Sequence, residues 1–246
     1  MIFPLLWMIS TSLKTSGDVF AKPGLIPDPV VFDNYLEIWK VIEVDVYLFG
    51  IFHITSGFLM FFINSFFVAA CVTVGKVFTS SLAAYAFARL KFPGRDQLFF
   101  AYLATLMIPG TITMIPVFVL FTKMPEYHLG QWMNTYQGMI VPQMFTAMGT
   151  FLLRQFFMSL PRDLEDAARI DGCGLFGTYF RIILPLSKPA LATLATMVFV
   201  GTWAAFMWPL IVVTDVELQT IPIGLAHFQS YHSTDWALLM AAAVVA

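Results

Sequence analysis

Residues 61–87 carry a single charged side chain, Lys76. An apolar run of that length is either the heart of a large soluble core or a helix that crosses a bilayer. Composition decides between them: of 246 residues 59% are hydrophobic and only 11% are charged, where a soluble domain carries about a quarter charged residues. A chain so poor in polar surface needs lipid to face. Stretches 98–121, 137–157 and 189–213 also reach the roughly 20 apolar residues that cover about 30 Å of hydrocarbon. Residues 2–13 and 236–246 are equally apolar but would extend only about 18 and 16 Å as helices. The expectation is an all-α polytopic bundle of six spans forming one transmembrane domain over 1–246, its first and last spans truncated by the ends of the chain. A signal peptide is a poor reading of the start, because no basic region precedes the apolar run.

The charges orient the bundle. Arg89, Lys91 and Arg95 crowd one connection; Arg162, Arg169, Arg181 and Lys188 crowd another, with Arg154 just before it. Lys- and Arg-rich connections stay in the cytoplasm. The remaining connections are acidic overall, with Asp18, Asp28, Asp33, Glu37, Glu43 and Asp45 in the longest, and belong outside. Alternation then puts both termini in the cytoplasm. Residues 14–60, the longest outside connection, are expected to lie against the membrane surface. Pro109, Pro116, Pro142 and Pro209 fall inside predicted spans, where each removes a backbone donor and kinks its helix. The two cysteines, Cys71 in a span and Cys173 in a polar loop, fall on different levels and are not expected to pair.

The most informative connection is 159–190. Pro161, followed by Asp163, Glu165 and Asp166, suits the first turn of a helix whose positive dipole end the acids complement. Gly172 ends that helix. A second helix follows, with Phe176, Tyr179, Phe180 and Ile183 on one face and Pro185 at its end. The prediction is a compact cytoplasmic helical hairpin.

In this hairpin Asp166, Ala167 and Ala168 are followed after three residues by Gly172, and after nine more by Ile182, Leu184 and Pro185. This spacing resembles the EAA loop of ABC-importer permeases, with Asp166 standing where the family usually has Glu. The stretch AYAFARLKFPGRD at 84–96, together with LQTIPIGLAHFQ and TDWALLMAAAVVA near the end, is similar to carbohydrate permeases of the maltose-transporter kind. The resemblance implies a type I importer fold in a bacterial or archaeal cytoplasmic membrane. It also implies a coupling loop, formed by Glu165, Asp166, Ala167, Ala168, Asp171, Gly172, Ile182, Leu184 and Pro185, that docks on a separate ATPase. The implied partners are a companion homologous permease, two ATP-binding subunits, an extracytoplasmic sugar-binding protein and membrane lipid, with no nucleic acid. The loop at 214–235 is similar to the one that meets the binding protein in that family.

Four further residues are pathway candidates. Lys76 lies near the middle of its span, where an ammonium costs at least about 2.5 kcal/mol; it faces the bundle, water or a companion carboxylate, or it snorkels. Trp203, Phe206 and Trp208 could stack on sugar rings, though packing and interfacial anchoring explain them equally. Many relatives carry a polar pair where this chain has Ala204 and Ala205. His53, His128, His227 and His232 lack the spacing of a metal site. No glycine-rich phosphate loop ends in Lys followed by Ser or Thr, so this subunit is expected to bind no cofactor, with ATP and Mg held by the partner. The competing readings are a permease of the same superfamily for a non-sugar solute and a membrane enzyme of glycan-lipid metabolism. The enzyme would need acids, His or Cys clustered at one membrane face, and the spans contain almost none.

Overall fold

The computed structural model describes residues 2–48, 52–229 and 234–246. Along the chain run α1 (Phe3–Ser12), a strand pair β1 (Glu43–Leu48) and β2 (Phe52–Ser56), and the long helix α2 (Gly57–Arg89). There follow α3 (Arg95–Ala104), α4 (Gly110–Lys123), α5 (Tyr136–Ile140), α6 (Ala147–Ser159) and α7 (Asp163–Ile170). Next come a helical run α8 (Leu175–Leu186), then α9 (Lys188–Trp203), α10 (Met207–Val212), α11 (Ile221–Ala226) and α12 (Trp236–Val245). The fold is mainly helical, as the composition demands.

Only α2 is by itself long and apolar enough to cross a membrane among the described residues. Two pairs of helices meet the same test when taken together, but each is sharply bent. Arg95–Met107 meets Gly110–Tyr127 at 93°, and α8 meets α9 at 76°. The first bend divides the span expected over 98–121 at one of the prolines predicted to kink it, Pro109. Its backbone is extended (φ −59°, ψ 133°) and its ring cannot donate into the preceding turn. Pro142 likewise lies in a tight turn, Val141–Gln143, between α5 and α6. Pro116 stays inside α4. The stretch 189–213 is also divided: α9 stops at Trp203 and α10 begins at Met207, with Ala204, Ala205 and Phe206 unwound between them.

The chain forms two compact units. The first comprises Met1–Phe67, Met133–Thr135 and Ala204–Ala246. Here α1 packs along α12, and Phe20 meets Trp236 edge to face with ring centroids 6.0 Å apart. The strands β1 and β2 pair antiparallel, with Val46 opposite Ile54 and an irregularity between Glu43 and Val46. Val44, Ile54 and Met60 form a small buried cluster beneath them. This hairpin is a correction to the all-helical expectation, and Val44, Val46 and Ile54 supply the β-branched alternation that drives it. Asn64, fully buried, donates through Nδ2 to the carbonyls of Glu217 and Gln219, each at 2.8 Å. Ser65 Oγ accepts the Ile221 amide at 2.8 Å.

The second unit comprises Val68–Trp132 and Tyr136–Trp203. Its core gathers Ala84, Tyr85 and Ala88 of α2, Leu153 and Phe157 of α6, Tyr179 and Ile183 of α8, and Ala190 and Leu194 of α9. Small residues let these helices close up. A Cβ on Gly149 would fall 2.7 Å from Ser80 Oγ and 3.2 Å from Leu194, so only glycine admits that approach. The cysteines are both free.

Candidate functional site: the loop between α6 and α9

Residues 160–187 fold as the predicted pair of short helices. Arg162 precedes α7, and Asp163, Glu165 and Asp166 occupy its first turn, against the positive end of its dipole. Gly172 closes the helix in the left-handed region, φ 83°, with open space where a Cβ would stand. Its amide donates to Arg169 O at 3.0 Å, and Cys173 N donates to Ala168 O at 2.8 Å, satisfying the last carbonyls of α7.

The second helix departs from expectation in two ways. It continues past Pro185 to Leu186, and turns into α9 at Ser187. Ahead of Pro185 it widens to a π turn over Tyr179–Ile183, since the proline offers no N–H to the carbonyl four residues back. Ser187 is buried, and its hydroxyl donates to Ile183 O at 2.7 Å across the bend. The aromatic face also divides. Tyr179 and Ile183 enter the core, whereas Phe176 is 73% exposed and Phe180 51%.

The loop is fastened to α2 at three points. Ser81 Oγ and the Tyr179 hydroxyl share a hydrogen bond of 2.6 Å. Tyr85 donates to Leu175 O at 3.3 Å. Arg89, the last residue of α2, places Nε 2.8 Å from Glu165 Oε1, with both side chains almost fully buried. The approach is off-line for a hydrogen bond at either atom, so it is a close ion pair rather than a well-formed bond. The same guanidinium donates through Nη2 to Phe157 O at 2.5 Å and Leu160 O at 2.7 Å, carbonyls at the end of α6. Nearby, Arg154 sits over the Phe99 ring, 4.1 Å from its centroid. Asp96 is held below its ordinary range by its hydrogen bond with Arg95, and by the charges of Arg95 and Arg154.

The predicted loop residues therefore separate by side. Glu165 and Ala168 point inward. Asp166, Ala167, Asp171, Gly172 and Pro185 are exposed, and Ile182 and Leu184 are half-buried. Asp166 pairs only loosely with Arg169, at 3.7 Å on the surface. Beside them Leu164, Ile170 (87% exposed) and Phe176 also face out. A groove of about 610 Å³ runs between the end of α2 and α7, lined by Lys91, Phe92, Arg162 and Asp166 among others.

Arg89 was legible in the sequence only as an orienting charge; its spacing from Ser81 and Tyr85, every fourth residue of one helix, marks a common face. The pathway candidates are less concentrated. Lys76 is half-buried in α2. Trp203 stacks on Phe199, centroids 5.8 Å apart. Phe206 lies in the unwound stretch, 38% exposed, and Trp208 is buried in α10. His232, and residues 230–233 of the loop 214–235, lie outside the described residues.

Comparison with known proteins places this architecture. A family model described as "Binding-protein-dependent transport system inner membrane component" matches residues 76–246. The chain is 33% identical over 244 residues to a probable ABC transporter permease protein, YurM, of Bacillus subtilis (strain 168), covering 97% of this chain and 73% of that protein. It is 34% identical over 247 residues to the arabinooligosaccharides transport system permease protein AraQ of Halalkalibacterium halodurans, covering 99% and 82%. It is 35% identical over 244 residues to the sn-glycerol-3-phosphate transport system permease protein UgpE of Pectobacterium atrosepticum, covering 98% and 82%. The fold matches a chain from the crystal structure of a bacterial ABC transporter involved in import of the acidic polysaccharide alginate, with a TM-score of 0.81 at 18% identity over 99% of this chain and 85% of that one. With the family model covering most of its length and relatives matching nearly all of it, the chain belongs to the family of inner membrane components of binding-protein-dependent transport systems.

Proposed function

We propose that this chain is one permease half of an ATP-driven, binding-protein-dependent carbohydrate importer, and that the segment 159–190 is its coupling loop. The observation that carries the reading is the inverted polarity of α7. Its Glu165 carboxylate is buried, while Leu164, Ile170 and the nearby Phe176 stand in the open with Asp166. A free surface loop would do the reverse; a face of this kind suits a partner with an apolar cleft and a cation. The partner is a separate ATPase subunit that holds ATP and Mg, two copies serving this permease and a homologous companion. Asp166 makes the charged contact, Ala167 allows close approach, and Gly172 sets the elbow to α8.

In this reading the chain contributes six passages: α1, α2, α3 with α4, α5 with α6, α9 with α10, and α12, with both termini cytoplasmic. Arg89, Lys91, Arg95, Arg162, Arg169, Arg181 and Lys188 then all lie on the cytoplasmic side, where the distribution of Lys and Arg favours them. The β1–β2 hairpin and residues 214–235 lie outside, facing a sugar-binding protein. Carbohydrate is the solute class because AraQ is a permease of an arabinooligosaccharides transport system; UgpE, named for sn-glycerol-3-phosphate, is the relative that favours a non-sugar solute instead. Lys76, Trp203, Phe206 and Trp208 are pathway candidates.

Co-purification tests the docking. The permease is expressed with its companion and ATPase, as wild type and as Asp166→Arg/Ala167→Trp, both changes on the exposed face. The ATPase should stay with the wild type and leave the variant, with membrane insertion unchanged; full retention by the variant would sink the docking face. Uptake competition among oligosaccharides, sn-glycerol-3-phosphate and amino acids tests the solute class: competition by oligosaccharides alone supports carbohydrate, and competition by either of the others instead overturns it.

A further inference from the structure

Ser81, Tyr85 and Arg89 recur every fourth residue along the last turns of α2, and each holds a different part of the loop. Ser81 reaches Tyr179 in the second helix, Tyr85 reaches Leu175 at its start, and Arg89 reaches Glu165 in α7. The fastening is buried and chemically varied: Tyr179 is 1% exposed, Ser81 2% and Glu165 4%. Arg89 also ties the end of α6 into the same knot through two carbonyls. A loop meant to swing about its own ends would not be held by three buried contacts to a single helix.

We infer that Ser81, Tyr85 and Arg89 are positioning residues that join the coupling loop to the final turns of α2, so that the loop and this end of the helix move as one body when the ATPase pulls. This rests on the docking reading above, and it adds where the pull is delivered. The physics is that of a two-state machine. A ligand-driven shift at one site is felt at another only through elements whose contacts survive the transition. The stroke therefore enters the membrane along α2, not by bending at Gly172 or Ser187.

The test uses the complete transporter in proteoliposomes: this permease, its companion, two ATPase subunits and the binding protein. ATP hydrolysed per solute imported is the readout. Arg89→Lys keeps the charge but loses the planar fork that serves Glu165 and two carbonyls at once. It should raise ATP consumed per solute by about tenfold, the scale of a coupling carried by a few contacts, while the ATPase stays bound. Ser81→Ala with Tyr179→Phe, which keeps the ring in the core, should raise it in the same direction by less.

Lys91→Cys with Arg162→Cys, on opposite sides of the groove in a background free of Cys71 and Cys173, allows the loop to be bridged to the end of α2 by bis-methanethiosulfonates of graded length. Relative to the same cysteine pair left unbridged, bridging should leave ATPase retention and uptake unchanged, and in the Arg89→Lys background it should restore the ratio. Arrest of uptake by the bridge, reversed by reductant, would mean that the loop moves against α2 and would overturn the inference. So would a wild-type ratio in Arg89→Lys. Loss of the ATPase from the wild-type preparation is a separate result, and it would count against the docking reading instead.

Discussion

Helix α2 is anchored by buried polar groups in both units, and the two anchors are built differently. In the first unit a neutral amide, Asn64, answers the carbonyls of Glu217 and Gln219, and a hydroxyl, Ser65, receives the Ile221 amide. In the second unit a charge does the work: Arg89 faces Glu165 and two carbonyls at the end of α6. The neutral anchor satisfies carbonyls in and just after the short turn Val216–Leu218 and the first amide of α11, at modest desolvation cost. The charged anchor costs more to bury, but one guanidinium hydrogen-bonds two carbonyls and pairs with a carboxylate at once. The contrast teaches that α2 is pinned softly where it meets one segment of backbone and more firmly where it meets the two-helix loop between α6 and α9.

Breaking the charged anchor should have the largest effect. Arg89→Met leaves Glu165 buried and unpaired, costing about 3–5 kcal/mol, visible as a lower melting temperature of the purified complex in detergent. Adding Glu165→Leu should recover most of that loss, since two apolar groups pack where two charges stood. If the double variant is no more stable than the single, the pair is not the source of the cost. Asn64→Leu should cost less, about 1–3 kcal/mol for carbonyls left without a donor. Its signature is faster hydrogen exchange at 217–221, with α7 unaffected.

Gly172→Ala comes next. The left-handed backbone at φ 83° penalises any Cβ by about 1–2 kcal/mol, although no neighbour obstructs it. Melting temperature should fall slightly, and ATPase retention should drop if the elbow shifts. The smallest effect concerns Asp96. Arg95 holds its acidity above the ordinary, so the contribution is present above its unfolded pKa and is lost as pH falls through the lower folded value. Asp96→Asn should lower stability slightly at neutral pH, and its difference from the wild type should vanish as pH falls below about 4.

The helical loop, the elbow at Gly172 and the long helix α2 were all legible from spacing, because each depends on residues near one another in sequence. The strand pair was not legible, although Val44, Val46 and Ile54 carry the alternation, because a short apolar and aromatic stretch is equally compatible with a segment lying on the membrane surface. Pro109 marked a kink, but the 93° size of that bend and the break at Ala204–Phe206 were hidden for a different reason. Hydropathy measures how apolar a stretch is, and a bent pair of short helices scores as well as a straight span. Phe176 and Phe180 shared a predicted face with Tyr179 and Ile183, and only the latter two found a core.

By itself the amino-acid sequence determined that this chain must live in lipid, where its long apolar helix lies, and that a two-helix loop with an EAA-type spacing joins two of its apolar stretches. Those follow from composition, local propensity and the positions of Gly and Pro. Tertiary structure alone decided that Glu165 turns inward to Arg89 while Asp166 stays outside, and that Ser81, Tyr85 and Arg89 face the loop. Neighbouring acids in a sequence are equivalent until packing buries one of them, and a buried carboxylate must find its cation wherever the fold has brought one.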